Sequence, residues 1–226
     1  MSAAPDAVLG AEERAALEKV LELLARERAS VSSIVDERAW QVHVVDSLSG
    51  LEFPELREAG RIADVGAGAG FPGLALAAAL PEAEVDLIES VGRKCDFMRA
   101  AIAASGIPNA TVLHLRSEEL AAGEGREAYD VVTARAVGRL STLAELASPL
   151  LRPSGVLVAW KGRRDAEEEA QLHRAAESLA MRPEAVLDVG DRAGSQHRHL
   201  HLIRKSGPTP PNLPRNPGMA KKRPKG

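Results

Sequence analysis

The densest chemistry in the chain lies in Arg61-Ile62-Ala63-Asp64-Val65-Gly66-Ala67-Gly68-Ala69-Gly70-Phe71-Pro72-Gly73, an apolar run, a glycine turn and a helix start marked by Pro72. Glycines at this spacing let backbone N–H groups approach a ligand closely. Gly68, Gly70 and Gly73 also satisfy the dinucleotide pattern GxGxxG. Charge separates the candidates. A dinucleotide lays an anionic pyrophosphate on such a loop, whereas S-adenosylmethionine brings an ammonium and a sulfonium and no phosphate. Asp64, beside the turn, repels the first and suits the second. Glu89, 23 residues beyond Gly66 and just after Val85-Asp86-Leu87-Ile88, stands where an acid accepts ribose hydroxyls. Asp64, Gly66, Gly68 and Glu89 together favour a cationic methyl donor over NAD; a glycine turn with no ligand is the remaining reading.

The methionine carboxylate of such a donor needs free N–H groups at a helix start, and its adenine needs a slot beyond the third strand. Ser117 and Glu118 supply that slot, although the same residues also read as an ordinary helix start. The acceptor follows from what the chain lacks. Methylation at pyrimidine C5 needs a thiolate, and Cys95, inside a helix, is poorly placed for one. Exocyclic adenine amines are normally methylated through an Asn/Asp-Pro-Pro-aromatic turn; here Thr133-Ala134-Arg135-Ala136 follows the fourth strand. A ring nitrogen with a free lone pair, such as guanine N7, needs no general base, only alignment and anchored phosphates. Arg93, Lys94, Arg116, Arg135, Arg139 and Lys161 all fall at strand ends or helix starts, the ligand edge of a doubly wound sheet. Any one of them reads equally well as a solvated surface cation.

His197, His199 and His201 alternate along a strand and share a face, but no carboxylate or cysteine completes a metal set. His43 and Asp46 lie one helical turn apart; they either touch the substrate or tie an N-terminal helical cap to the sheet.

These residues need a scaffold, and 226 residues with 45% hydrophobic and 27% charged composition can supply a buried core. No apolar run reaches the ~20 residues of a membrane span, and the acidic, Ala-rich start does not read as a secretory leader. A cytoplasmic, monomeric chain is expected. A lone cysteine excludes an internal disulfide and a zinc finger. Residues 11–28 read as an amphipathic helix and 37–51 as a second, with Pro54 ending that region. From Arg61, short Val/Ile/Leu runs alternate with helical stretches. Strands are expected near 61–65, 84–88, 110–115, 129–134, 155–160, 185–189 and 198–204, and helices near 72–80, 92–105, 139–150 and 165–180. The expected fold is α/β: a doubly wound, mostly parallel seven-stranded sheet with a terminal antiparallel hairpin. It divides into a cap (1–58), a Rossmann-like domain (59–205) and a basic, extended tail (206–226). Residues 192–226 hold nine Lys/Arg and no acid, so the preceding 191 residues carry 20 bases against 32 acids. Such a basic end is either a polyanion contact or a solubilising tail.

Taken jointly, His43-Val44-Val45-Asp46-Ser47-Leu48, the Asp64–Gly73 loop, Glu89-Ser90-Val91-Gly92-Arg93-Lys94, Thr133-Ala134-Arg135-Ala136, Leu157-Val158-Ala159-Trp160-Lys161-Gly162 and the Pro-Arg-Asn-Pro-Gly tail resemble the bacterial 16S ribosomal RNA guanine-N7 methyltransferases of the RsmG type, also called glucose-inhibited division protein B. The resemblance runs from about Ser32 through the tail. It implies a class I methyltransferase fold and S-adenosylmethionine-dependent methylation of N7 of the guanine conventionally numbered 527 in small-subunit rRNA. Carried over by motif, Gly66, Phe71, Ser117, Glu118 and Arg135 contact the cofactor. Arg135 thus has two readings, cofactor contact by family and phosphate or base anchor by chemistry. Two positions depart from the family's usual pattern: Val31-Ser32-Ser33 stands where Asn-Leu-Thr is common, and Val42-His43 where Arg-His is. Aromatics are only 3% of the chain, which disfavours recognition by extensive base stacking. A non-catalytic rRNA-binding or assembly factor on the same fold, and a small-molecule or protein methyltransferase, are the alternatives.

Overall fold

The computed structural model describes residues 4–27, 36–190 and 197–226. Expectations that rest on Val31, Ser32, Ser33 and Arg192 lie outside the described residues.

Helix α1 (Ala11–Arg26) buries Leu17, Val20 and Leu24 along one stripe, the spacing an amphipathic helix requires. The second expected helix forms, but with changing pitch: a wide π-type turn at Trp40–Val45, one turn of α2 (Asp46–Leu48), then a tight 3-10 turn at Ser49–Glu52. Local widening of this kind is frequent at functional sites. Pro54, expected to end the region, instead opens α3 (Pro54–Arg57), where its missing N–H costs nothing.

The sheet consists of β1 (Arg61–Val65), β2 (Glu84–Glu89), β3 (Ala110–His114), β4 (Tyr129–Arg135), β5 (Leu151–Lys161), β6 (Met181–Asp188) and β7 (His199–Lys205) in the order β3-β2-β1-β4-β5-β7-β6. Pairings among β1 to β5 are parallel; β7 runs antiparallel to both β5 and β6. The strand order therefore reverses between β1 and β4, and the C-terminal ends of those strands open the crevice where doubly wound sheets take ligands. One face is covered by the cap with α4 (Gly73–Ala79) and α5 (Gly92–Ser105). The other carries α7 (Leu140–Ala147) and α8 (Ala166–Ala175). A short α6 (Ser117–Ala121) follows β3.

Two boundaries differ from expectation for identifiable reasons. Strand β5 begins four residues early because the Arg152-Pro153-Ser154-Gly155 stretch, which reads as a turn, passes an irregular register opposite Tyr129 and Val131. Strand β6 begins at Met181 because the preceding helix breaks at Ala175 and Ala180 adopts a left-handed φ of +51°.

The largest departure is the tail. Residues 206–226 are not an extended, solvated appendage: Leu213 and Ala220 are buried, Arg215 makes two 2.6 Å bonds to the buried carboxylate of Glu145, and Met219–Lys222 form α9. The start of this strap is fixed by Lys205, whose buried ammonium donates to Glu127, Thr209 Oγ1 and the carbonyl of Leu151.

Candidate active site

A cavity of about 360 Å³ opens at the C-terminal ends of β1, β2 and β3, within the size range of small-ligand sites. Val65 and Gly66 come from the end of β1, Glu89 and Ser90 from the end of β2, and Leu115 to Glu118 from the exit of β3. Val137, Thr142 and Leu146 line the β4 side, and Gly218, Ala220, Lys221 and Lys222 arrive from the strap.

Backbone conformation makes the glycine loop possible. Gly66 has a φ of +71°, and a Cβ there would stand 2.7 Å from Val137 Cγ2, so no other residue fits without displacing the cavity wall. Gly73 has no room either: a Cβ would collide with Leu87 Cδ2 and lie 2.9 Å from Asp64 Oδ2. Asp64 is buried under the loop, accepting from Gly73 N at 2.9 Å and from Thr133 Oγ1 at 3.1 Å. Burial pushes its carboxyl up to about 6, and those two hydrogen bonds with the nearby Arg135 cation oppose the shift.

Glu89 binds the loop from the other side. Its carboxylate accepts from Gly68 N at 3.2 Å, Ser90 N at 2.8 Å and Val91 N at 2.9 Å, with Lys94 Nζ 3.7 Å away. At the far end Glu118 accepts from Ser117 Oγ (3.2 Å) and from the strap's Gly218 N (2.8 Å). Apolar Val65, Ile88, Leu115 and Leu146 line the same cavity. The cavity thus combines two carboxylates with apolar lining residues.

Of the residues expected to hold cofactor, Gly66, Glu89, Ser117 and Glu118 share this cavity. Asp64, Gly68 and Phe71 stand behind its wall. Asp64 holds α4, Gly68 supports Glu89, and Phe71 is buried with its ring stacked on His43 at a 5.1 Å centroid distance. The expected free N–H groups at the helix start are engaged: Gly73 N bonds Asp64 and Leu74 N bonds the Gly70 carbonyl. Arg135 turns away from the cavity into the cap, donating to the Val42 carbonyl and to Asp46 Oδ2, both at 2.9 Å. Arg198 takes the other Asp46 oxygen at 2.6 Å, and Trp160 Nε1 donates to the Asp46 carbonyl. Asp46 therefore ties the cap to the sheet; its pairing with two arginines was not foreseen, since Arg198 read as part of the basic end.

Arg93 and Arg139 are exposed at the first turns of α5 and α7, and Arg116 lies on the cavity rim at the start of α6. Lys161 is committed to Glu168 (2.7 Å) and the Gly138 carbonyl (3.0 Å), which fixes the β4–α7 loop. Cys95 is buried and donates its thiol to the Glu89 carbonyl, and burial raises its pKa, the opposite of an activated nucleophile. His197 precedes β7 instead of belonging to it, and His201 is buried with its pKa pushed down to about 4. Among the described residues no group of His, Cys, Asp and Glu is arranged to hold a metal ion.

A reversed strand order around a glycine turn, with an acid at the end of β2 and a second beyond β3, defines an S-adenosylmethionine-dependent methyltransferase of Rossmann-like fold. Solved structures agree on the fold. A SAM-dependent methyltransferase from Aquifex aeolicus superposes with a TM-score of 0.56 at 19% identity, over 75% of this chain and 94% of that one. A SAM-dependent O-methyltransferase from Thermotoga maritima gives 0.58 at 16% identity, over 84% and 71%. A sequence profile of GidB, the rRNA small subunit methyltransferase G, matches residues 16–201, and the chain belongs to that family. It is 44% identical to Ribosomal RNA small subunit methyltransferase G of Rubrobacter xylanophilus over 80% of this chain and 71% of that protein. It is 32% identical to the same-named protein of Staphylococcus carnosus over 97% and 93%.

Proposed function

We propose that this chain methylates N7 of a single guanine in 16S rRNA, position 527 by family resemblance, and that it does so as a cytoplasmic monomer acting on rRNA or the small ribosomal subunit. The observation that supports the cofactor choice is the pair of carboxylates, Glu89 and Glu118, that line the cavity. Gly68 N is bonded to Glu89 and Gly73 N to Asp64. A pyrophosphate in the cavity would face Glu89 and Glu118, whereas a sulfonium and an ammonium are attracted by them.

The chain's donor set fits S-adenosylmethionine. Glu89 accepts the ribose hydroxyls, the apolar slot of Ile88 and Leu115 takes the adenine ring, and Ser117 and Glu118 meet its polar edge. Asp64, Gly68 and Phe71 hold the loop in shape from behind. The bound cofactor supplies an electrophilic methyl group on a positively charged sulfur. Guanine N7 attacks with its own lone pair, so the protein needs no general base; it has to hold the base in line and exclude water. Phosphates flanking the target are met by Arg93, Arg116 and Arg139, with Lys94 and Lys161 fixing the loops that carry them. Arg135 contributes by anchoring the cap, through Asp46, beside the mouth of the crevice.

The reading is tested by titrating the purified chain with S-adenosylmethionine and then incubating it with methyl-labelled cofactor and small subunits or 16S rRNA. Saturable heat and label in rRNA are expected. Saturable binding with label only in protein or small molecules would contradict the acceptor, and absence of binding would favour a non-catalytic factor.

A further inference from the structure

The cofactor cavity has a wall that the sheet does not provide. We infer that the C-terminal strap is part of the cofactor site: Gly218 and Ala220 close the adenine end, and the strap must lift for the cofactor to enter or leave. This rests on the methyltransferase reading above and assigns the strap a role within the same site.

The strap is anchored before the cavity and again over it. Before it, Leu213 is buried and its carbonyl accepts from Arg126, while Arg215 is clamped on Glu145 of α7. Over the cavity, Gly218 N donates to Glu118 Oε1 at 2.8 Å and Thr142 Oγ1 donates to the Ala220 carbonyl at 3.3 Å. These two bonds join the strap to α6 and to α7, the elements that flank the slot. Gly218 sits at a φ of +81°, a conformation that L side chains rarely adopt, so the bend bringing its N–H onto Glu118 is specified by glycine. The acid expected to read the adenine edge is thus also the acid that holds the strap. Beyond Ala220 the chain is exposed at Lys221, Lys222 and Arg223; trypsin cuts after Lys221 and Lys222 but not between Arg223 and Pro224, so two cleavage sites lie on the moving part.

Two experiments test this on the full-length protein and on variants. First, calorimetric titration with S-adenosylmethionine compares the unaltered chain with Gly218→Pro, which lacks the N–H that meets Glu118 and whose ring excludes the positive φ of the bend, and with a chain ending at Pro217, which keeps Leu213 and Arg215. Loss of one hydrogen bond to a carboxylate and of a wall predicts roughly tenfold weaker binding in both. Equal affinity in folded variants would overturn the inference. Second, the unaltered chain is digested with trypsin with and without cofactor, and cleavage after Lys221 and Lys222 is followed by mass spectrometry. If the lifted state binds about tenfold more weakly, cofactor at ten times its Kd should slow cleavage at these sites by about fivefold. An unchanged rate despite calorimetrically demonstrated binding would overturn the inference without any variant. No saturable heat from the unaltered chain would instead refute the methyltransferase reading itself.

Discussion

Asp64 is a buried carboxylate whose two hydrogen bonds offset only part of its desolvation, so its proton is held more tightly in the folded chain than in the unfolded one. Between pH 4 and about 6 the native state binds the extra proton, and stability therefore falls as pH rises through that window. Asp64→Asn removes the group's titration while keeping its shape. Urea unfolding at pH 4.5 and pH 7 should show the original chain losing about 2 kcal/mol relative to the variant; parallel profiles would contradict this. Gly73→Ala tests the other side of the same contact, because the new methyl meets Leu87 and the Asp64 carboxylate. It should cost about 1–3 kcal/mol in the same measurement. The residue types of this loop are legible in the sequence because glycine spacing and neighbouring charge are local properties. Which partners each residue finds within the protein is not: Asp64 bonds Gly73 N and Thr133, and Phe71 stacks on His43, contacts that leave no local trace.

The cap and the strap are elements held by charges that pair across long sequence separations. Asp46 lies buried between Arg135 and Arg198, so Asp46→Ala leaves two half-buried guanidinium groups without their counter-charge and should cost about 3–5 kcal/mol in chemical denaturation. Arg215→Ala strands the buried Glu145 carboxylate and should cost about 2 kcal/mol, with part of the loss recovered by adding Glu145→Gln. A cycle with no recovery would mean that the pair does not hold the strap. Strands and helices from Arg61 onward follow from alternating apolar runs, which is why nearly all of them are legible. The strap is not, because a segment dense in Pro, Gly and Lys satisfies every local criterion for a solvated tail. Its docking is signalled only indirectly, by Leu213 within the Pro-rich run and by Glu145, an acid on an otherwise apolar helix that demands a basic partner. The Asp46 node is half legible: the one-turn spacing of His43 and Asp46 allows either a substrate contact or a tie to the sheet, but the partner 152 positions away leaves no local trace.

At the scale of the whole molecule, an acidic body carries the cavity and a basic end, with Lys221 and Lys222, lines part of it. Some of the basic end is consumed in structure: Lys205, Arg215 and Arg198 pair with Glu127, Glu145 and Asp46. That leaves Lys221, Lys222 and Arg223 exposed for phosphates. Ending the chain at Pro217 should therefore flatten the dependence of log affinity for rRNA on log salt by roughly 0.7 for each contact removed, as read by filter binding across a salt series; an unchanged slope would show those charges unused by RNA. The central claim, methyl transfer to a guanine N7, is tested most directly on rRNA from cells with and without this protein. Reduction and aniline treatment cleave the strand at 7-methylguanosine. One cleavage in the 16S rRNA, at the guanine conventionally numbered 527, should be present in the first sample and absent from the second; the same pattern in both, or loss of a methyl group at a different kind of atom, would contradict the account.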